Sequence, residues 1–276
     1  MIKFKLKNID NILPFESEEN QVMHWFALTD GEYWIEIKGA TLFEYTDDII
    51  HYWGGEYKYA DYQIIRFIED FTSLFFNITE SVPGDLFEKV KSAKLLKEIE
   101  EQRQIWMREE IVSDDKEMAI EESSRWIMDR TLDSWHLIGG PKISFFRHNE
   151  KVAIVWIADE VADNRIPIWT AQTGEVEMDF EDLILQIEDF GRRFLAEMEK
   201  QVENALKRDW GAIIIDMVKL KERQIEMAED FNYWIKILRQ DVLFQELRKS
   251  GALPETNWQS VRESLGKLNN NSSSKG

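Results

Sequence analysis

The chain has no cysteine, which excludes disulfides and thiolate metal sites and fits a reducing compartment. It also lacks any apolar run of the length a membrane helix needs. Its opening, Met1-Ile2-Lys3-Phe4-Lys5-Leu6-Lys7, alternates apolar and basic side chains. That pattern has no continuous apolar segment of the kind an export signal carries, and reads as an edge strand with lysines on one face. The expectation is a soluble, cytoplasmic protein. Histidine is scarce: His24, His51, His136 and His148 are the full set, and no pair has a metal-ligand spacing. There is no Gly-x-Ser-x-Gly elbow. Gly54-Gly55 and Gly139-Gly140-Pro141 lack both the Lys-Ser/Thr ending and the glycine triplet of a phosphate cradle, so both read as turns. No catalytic residue, metal or cofactor is assigned, although scattered glutamates that perform acid–base work leave no linear signature.

Negative charge is what the chain has in excess. Its 276 residues include 53 acids against 34 Lys and Arg, a formal charge of -19. Such a balance disfavours nucleic acid and anionic membranes and favours a basic protein partner. The acids also cluster: Asp159, Glu160, Asp163, Glu175, Glu177, Asp179, Glu181, Asp182, Glu188 and Asp189 face a single base, Arg165. Tryptophan is abundant too, at eleven residues, which fits a well-packed core, an aromatic groove, or both.

Two segments match when the second is read 119 or 120 positions after the first. Tyr33-Trp34-Ile35-Glu36-Ile37 falls on Ala153-Ile154-Val155-Trp156-Ile157, and Gly55-Glu56 on Gly174-Glu175. Ile68-Glu69-Asp70-Phe71 falls on the identical Ile187-Glu188-Asp189-Phe190. The expectation is an α+β fold of two tandem pseudo-repeat modules, each of antiparallel strands plus a packed helix, joined by additional long helices. The modules are 1–82 and 131–208. A helical connector spans 83–130, a C-terminal helical segment 209–250, and a largely disordered tail 251–276.

Local patterns fill in the modules. Residues 22–28 and 32–38 flank Asp30-Gly31, a tight-turn signal between strands, and 143–147 and 152–158 flank His148-Asn149-Glu150. Further strands are expected near 41–45 and 166–170, and a short one after each Gly-Glu turn. Phe180, Leu183, Ile184, Ile187, Phe190, Phe194, Leu195, Met198 and Val202 form one broad helical stripe, with acids at its start and Lys207 and Arg208 at its end. Ile64, Ile68, Phe71, Phe75 and Ile78 repeat the stripe in the first module. Residues 83–112 read as a charged helix, followed by a second helix capped at Ser113-Asp114-Asp115. Residues 210–247 form a long amphipathic stretch. Gln224 and Asp241 interrupt its seam, which favours packing within the chain over a coiled coil with a second copy.

His24-Trp25-Phe26-Ala27-Leu28-Thr29-Asp30-Gly31-Glu32-Tyr33-Trp34-Ile35 resembles the opening hairpin signature of an uncharacterised bacterial family of unknown function, His-Trp-Phe-x-Leu-Thr-Asp-Gly-x-Tyr-Trp-Ile. Ile168-Trp169-Thr170-Ala171, continuing to Gly174-Glu175, is similar to that family's second half. The resemblance covers residues 1 to about 207. It implies a bacterial source and brings no activity or catalytic residue with it.

Three uses of this architecture are open. The first is a non-enzymatic protein-binding protein, an immunity or antitoxin-type inhibitor that meets a basic partner through Glu175, Glu177, Asp179, Glu181 and Asp182. The alternating Glu175, Glu177 and Asp179 would also suit a divalent cation, but they read as the solvated face of a strand, because Glu177 corresponds to Lys58 in the other module. The second use is an enzyme or small-ligand receptor, with His24, Trp25, Asp30, Trp135 and His136 around a pocket between the modules. The third is a structural accessory subunit that assembles through 210–247.

Overall fold

A computed structural model of the chain describes residues 1–16, 20–108, 114–132, 137 and 140–272. Its strands are β1 (Ile2–Leu6), β2 (Phe15–Glu16), β3 (Gln21–Met23), β4 (Asp30–Ile37), β5 (Ala40–Leu42), β6 (Ala60–Gln63), β7 (Thr131–Leu132), β8 (Lys142–His148), β9 (Lys151–Ile157), β10 (Gly174–Asp179) and β11 (Ile214–Ile215). Its helices are α1 (Asp47–Trp53), α2 (Ile65–Ile78), α3 (Gly84–Val90), α4 (Ala93–Met107), α5 (Asp114–Met128), α6 (Phe180–Lys207), α7 (Met217–Leu238), α8 (Asp241–Lys249) and α9 (Trp258–Ser272). The class is α+β.

One sheet runs β1-β4-β5, with β6 also on β4; a second runs β10-β9-β8-β7; a small third runs β11-β3-β2. In each of the two larger sheets a central strand, β4 or β9, pairs antiparallel with an earlier strand. It pairs antiparallel again with a later one, β6 or β10, that leads directly into α2 or α6. The two Ile-Glu-Asp-Phe segments occupy like places, since Ile68, Phe71, Ile187 and Phe190 are all buried in the same core. The modules therefore do not close separately: the Phe67 ring of α2 meets the Phe190 ring of α6 edge-on at 6.1 Å.

β4 alternates as its sequence predicts, with Tyr33, Ile35 and Ile37 buried and Trp34 and Glu36 outward. The turn at Asp30-Gly31 is a correction. Asp30 is extended, with φ -63° and ψ 135°, and β4 starts there, while β3 pairs with β2 and β11 instead. Gly31 is needed for approach rather than for a turn, because a Cβ there would lie 2.4 Å from the Lys5 carbonyl oxygen of β1. The tight hairpin sits at Lys38-Gly39, between β4 and β5, where both residues have positive φ. The β8–β9 hairpin forms where expected, with Asn149 at φ 53°.

Other boundaries also differ. Residues 166–170 form no strand; isolated bridges tie Val161 to Pro167 and Tyr45 to Trp169. The connector helix divides into α3 and α4, and Ser113 of its second cap lies outside the described residues. The 210–247 stretch divides into α7 and α8, and α7 packs on α6. Within 251–276, α9 replaces most of the expected tail. Its Val261 and Leu265 are buried in a second core with α3, α4, α5 and one face of β8 and β9.

The α6–α7 crossing depends on Gly191, where a Cβ would come within 2.0 Å of the Phe231 ring. Gly191→Ala should therefore cost about 1–3 kcal/mol of overpacking, read as a lower urea midpoint. Adding Phe231→Leu should recover part of that loss.

Buried charge fixes the C-terminal helices. Arg130 is 1% exposed. Its Nη2 donates to Glu80 Oε2 at 2.6 Å, and its Nη1 donates to the Trp126 carbonyl at 2.8 Å. Glu80 also accepts from the Thr256 backbone N–H and hydroxyl, just before α9. Glu80→Leu would strand a buried guanidinium and should destabilise by about 3–5 kcal/mol. Glu80→Leu/Arg130→Met should lie much closer to the parent in the same unfolding measurement.

Candidate functional site

The conspicuous part of the recognised motif, His24-Trp25-Phe26, emerges from β3 and opens onto a groove of about 790 Å³ against the start of α7. β3 turns into a short 3-10 segment, Ala27–Thr29, all of it buried, with the Thr29 hydroxyl donating to the Phe26 carbonyl at 2.7 Å. That anchor leaves the three motif side chains in different roles. Trp25 goes inward: it is buried, meets Phe194 of α6 edge-on, and its Nε1 donates to Gln224 Oε1 of α7 at 2.8 Å. Gln224 in turn donates to the Leu195 carbonyl at 3.0 Å. The residue that breaks the apolar seam of α7 is thus what fastens that helix in place.

His24 and Phe26 line the open side. The His24 ring stacks on Phe15 at 4.5 Å, and the Arg66 guanidinium lies 4.8 Å from the centre of the Phe26 ring. Partial burial lowers the His24 pKa below its ordinary 6.5. The unfolded chain then takes up this proton first as pH falls below 6.5, so His24 withdraws stability on acidification. An NMR titration should place its midpoint below 6.5, and Phe15→Ala, which uncovers the ring, should move that midpoint upward.

Two exposed apolar side chains of the small sheet stand at the groove: Ile214 lines it, and Phe15 covers the His24 ring. The groove lining carries four carboxylates, Glu69, Asp216, Glu222 and Glu226, against two cations, Lys219 and Arg223. Asp216 caps α7 by accepting from the Val218 and Lys219 backbone N–H groups, and Glu226 pairs with Arg223 at 3.3 Å. Sequence reading misses the α7 half of this groove. The signal for it is the Ile213-Ile214-Ile215 run before the capping Asp216.

Of the side chains expected around a pocket between the modules, His24 and Trp25 line this groove. Asp30 does not line this groove; its carboxylate and that of Asp61 each accept from Lys7 Nζ at 3.0 Å. Trp135 and His136 lie outside the described residues.

The five acids sit together along the outer face of β10 and the first turn of α6, and all are exposed. Three have partners within the chain. Glu175 accepts from the Ala93 N–H at 3.1 Å, Asp179 pairs with Lys151 at 2.9 Å, and Glu181 pairs with Arg239 at 3.1 Å. Among the described residues no group of three or more His, Asp or Glu is arranged to hold a metal, and no helix is long and apolar enough to cross a membrane.

A model of the Family of unknown function (DUF5984) matches residues 1–264, and the chain belongs to that family. Comparison with curated proteins and with solved structures gives no match in either case.

Proposed function

We propose that this DUF5984 member is a non-enzymatic protein-binding protein of the immunity or antitoxin type. Its partner is basic and docks an amphipathic segment in the groove between β3 and α7. The observation that supports this reading is the pairing of exposed apolar side chains with a net acidic lining around one concave site. Water-exposed side chains such as Phe15 and Ile214 gain from being covered, and a partner carrying Lys or Arg beside its apolar stripe meets Glu69, Glu222 and Glu226 there. The exposed acids of β10 and α6 are a further negative surface, one that meets cations the partner carries beyond the docked segment. A cytoplasmic location fits this role and the absence of cysteine.

Purification of the protein from its native host should bring down a basic partner, and the complex should weaken as salt rises. Phe15→Asp/Ile214→Asp changes two exposed positions. It should weaken that complex by roughly tenfold or more with little change in the urea midpoint. An immunity role further requires that the partner, expressed alone, arrests growth and that co-expression of this chain relieves the arrest. Recovery of the free chain alone, at low and high salt, would overturn the reading.

A further inference from the structure

β1 ends its sheet: it pairs with β4, and no described strand pairs with its other edge. Two hydrogen bonds settle which backbone groups face outward. Glu36 N–H donates to the Met1 carbonyl at 2.9 Å and Lys7 N–H to the Asp30 carbonyl at 2.8 Å. These belong to the register that pairs Lys3 with Trp34 and Lys5 with Glu32. In an antiparallel ladder hydrogen-bonded and non-bonded pairs alternate. The odd residues of β1 therefore bond β4, and the N–H and C=O of Ile2, Phe4 and Leu6 point away from it.

α6 runs beside this edge and closes it only at its ends. Arg193 Nη2 donates to the Ile2 carbonyl and Gln201 Nε2 to the Lys7 carbonyl, both at 2.9 Å. Between these two props the backbone groups of Phe4 and Leu6 are bonded by no described residue. They face a groove of about 680 Å³ whose helical wall is low at the small, exposed Ala196.

The groove is also where a chain of charge -19 gathers cations: Lys5, Lys7, Arg193 and Lys200 line it, against one acid, Glu197. Several are engaged. Lys7 is held by Asp30 and Asp61, Arg193 by Asp189 and Lys200 by Glu197. Lys5 is not: its ammonium is 76% exposed and reaches Glu32 only at 3.9 Å.

We propose that the β1–α6 groove receives an extended segment of a partner protein that adds as a strand to β1, with acidic and apolar residues in alternation. Main-chain bonds to Phe4 and Leu6 supply the pairing. Because side chains alternate across a strand, the apolar residues turn toward Phe4, Leu6 and Ala196, and the carboxylates toward the lysine row of β1. The attraction is local. At physiological salt a carboxylate seated against Lys5 is within the screening length of about 8 Å, while the distant acids of the chain are mostly beyond it. This groove differs from the one between β3 and α7 in position and in sign, and a basic ligand of the latter leaves it empty.

The test uses the full chain and a fluorescent peptide, Gly-Glu-Leu-Glu-Val-Glu, which has the required alternation and is not a segment of this chain, with the same peptide carrying Lys for Glu as its counterpart. Anisotropy should show binding of the acidic peptide, roughly tenfold or more tighter than the basic one. Amide exchange should show new protection at Phe4 and Leu6. Lys5→Glu and Ala196→Leu, both at exposed positions, should each weaken binding by a similar factor while leaving the unfolding midpoint in place. Failure of the acidic peptide to bind, equal binding of both peptides, or binding without protection of the Phe4 and Leu6 amides would each overturn the proposal.

Discussion

The β8–β9 hairpin is apolar on both faces, and the rest of the molecule is arranged around that constraint. Ile143, Phe145, Val152, Ile154 and Trp156 face one core, and Phe146, Ala153 and Val155 face the other. A sheet that is dry on one side needs one covering layer; a hairpin dry on both sides needs two. The first layer comes from α2 and α6, whose stripes close a core shared with the β4 sheet. The second is assembled from α3, α4, α5 and α9, drawn from distant parts of the chain. Each large apolar side chain so covered is worth about 1.5–3 kcal/mol before entropy is subtracted. This explains why helices outside the repeated modules are integral to the fold.

Covering both faces brings charge into dry surroundings, and the fold answers with paired arginines. Arg147 lies within β8, buried, with Phe180 4.2 Å from its guanidinium. It donates to both carboxylate oxygens of Asp241, at 2.6 and 2.9 Å, where α8 starts. Arg248 at the far end of α8 donates to the Phe76 carbonyl and the Thr79 hydroxyl at the end of α2. Such pairs are weak sources of net stability, since desolvation offsets much of their attraction. Their effect is on placement: an unpaired guanidinium at these positions is costly, so α8 and the start of α9 have one seat each.

What the sequence disclosed follows from periodicity. α6 and α2 were legible because one face of each is apolar over many turns, and β9 because Val152-Ala153-Ile154-Val155-Trp156 is a continuous apolar run. Asp30-Gly31 misled because a glycine required for close strand approach has the same letter as one required for a turn. α9 was hidden because its apolar residues are few and cover a face created by other segments. The groove at His24 was half visible: the motif marks one wall, whereas Ile214, Asp216 and Lys219 join it only through the parallel pairing of β11 with β3. Parallel pairing between segments so distant leaves no local trace.

The charge pattern makes sense at the sheet edges. β1 and β10 are each a terminal strand, one with Lys3 and Lys5 on a face and Lys7 just past its end, the other with Glu175, Glu177 and Asp179. An edge exposes unpaired amides and carbonyls to any passing strand, and charge of one sign is a common guard. Two β1 edges repel each other, as do two β10 edges, so pairing of like edges between copies is opposed on both sheets. That guard does not act against a strand of the opposite sign. The same lysines that keep β1 from its own kind therefore leave it selective, and the selectivity rests on the sign of the few charges next to the edge rather than on the total carried by the chain.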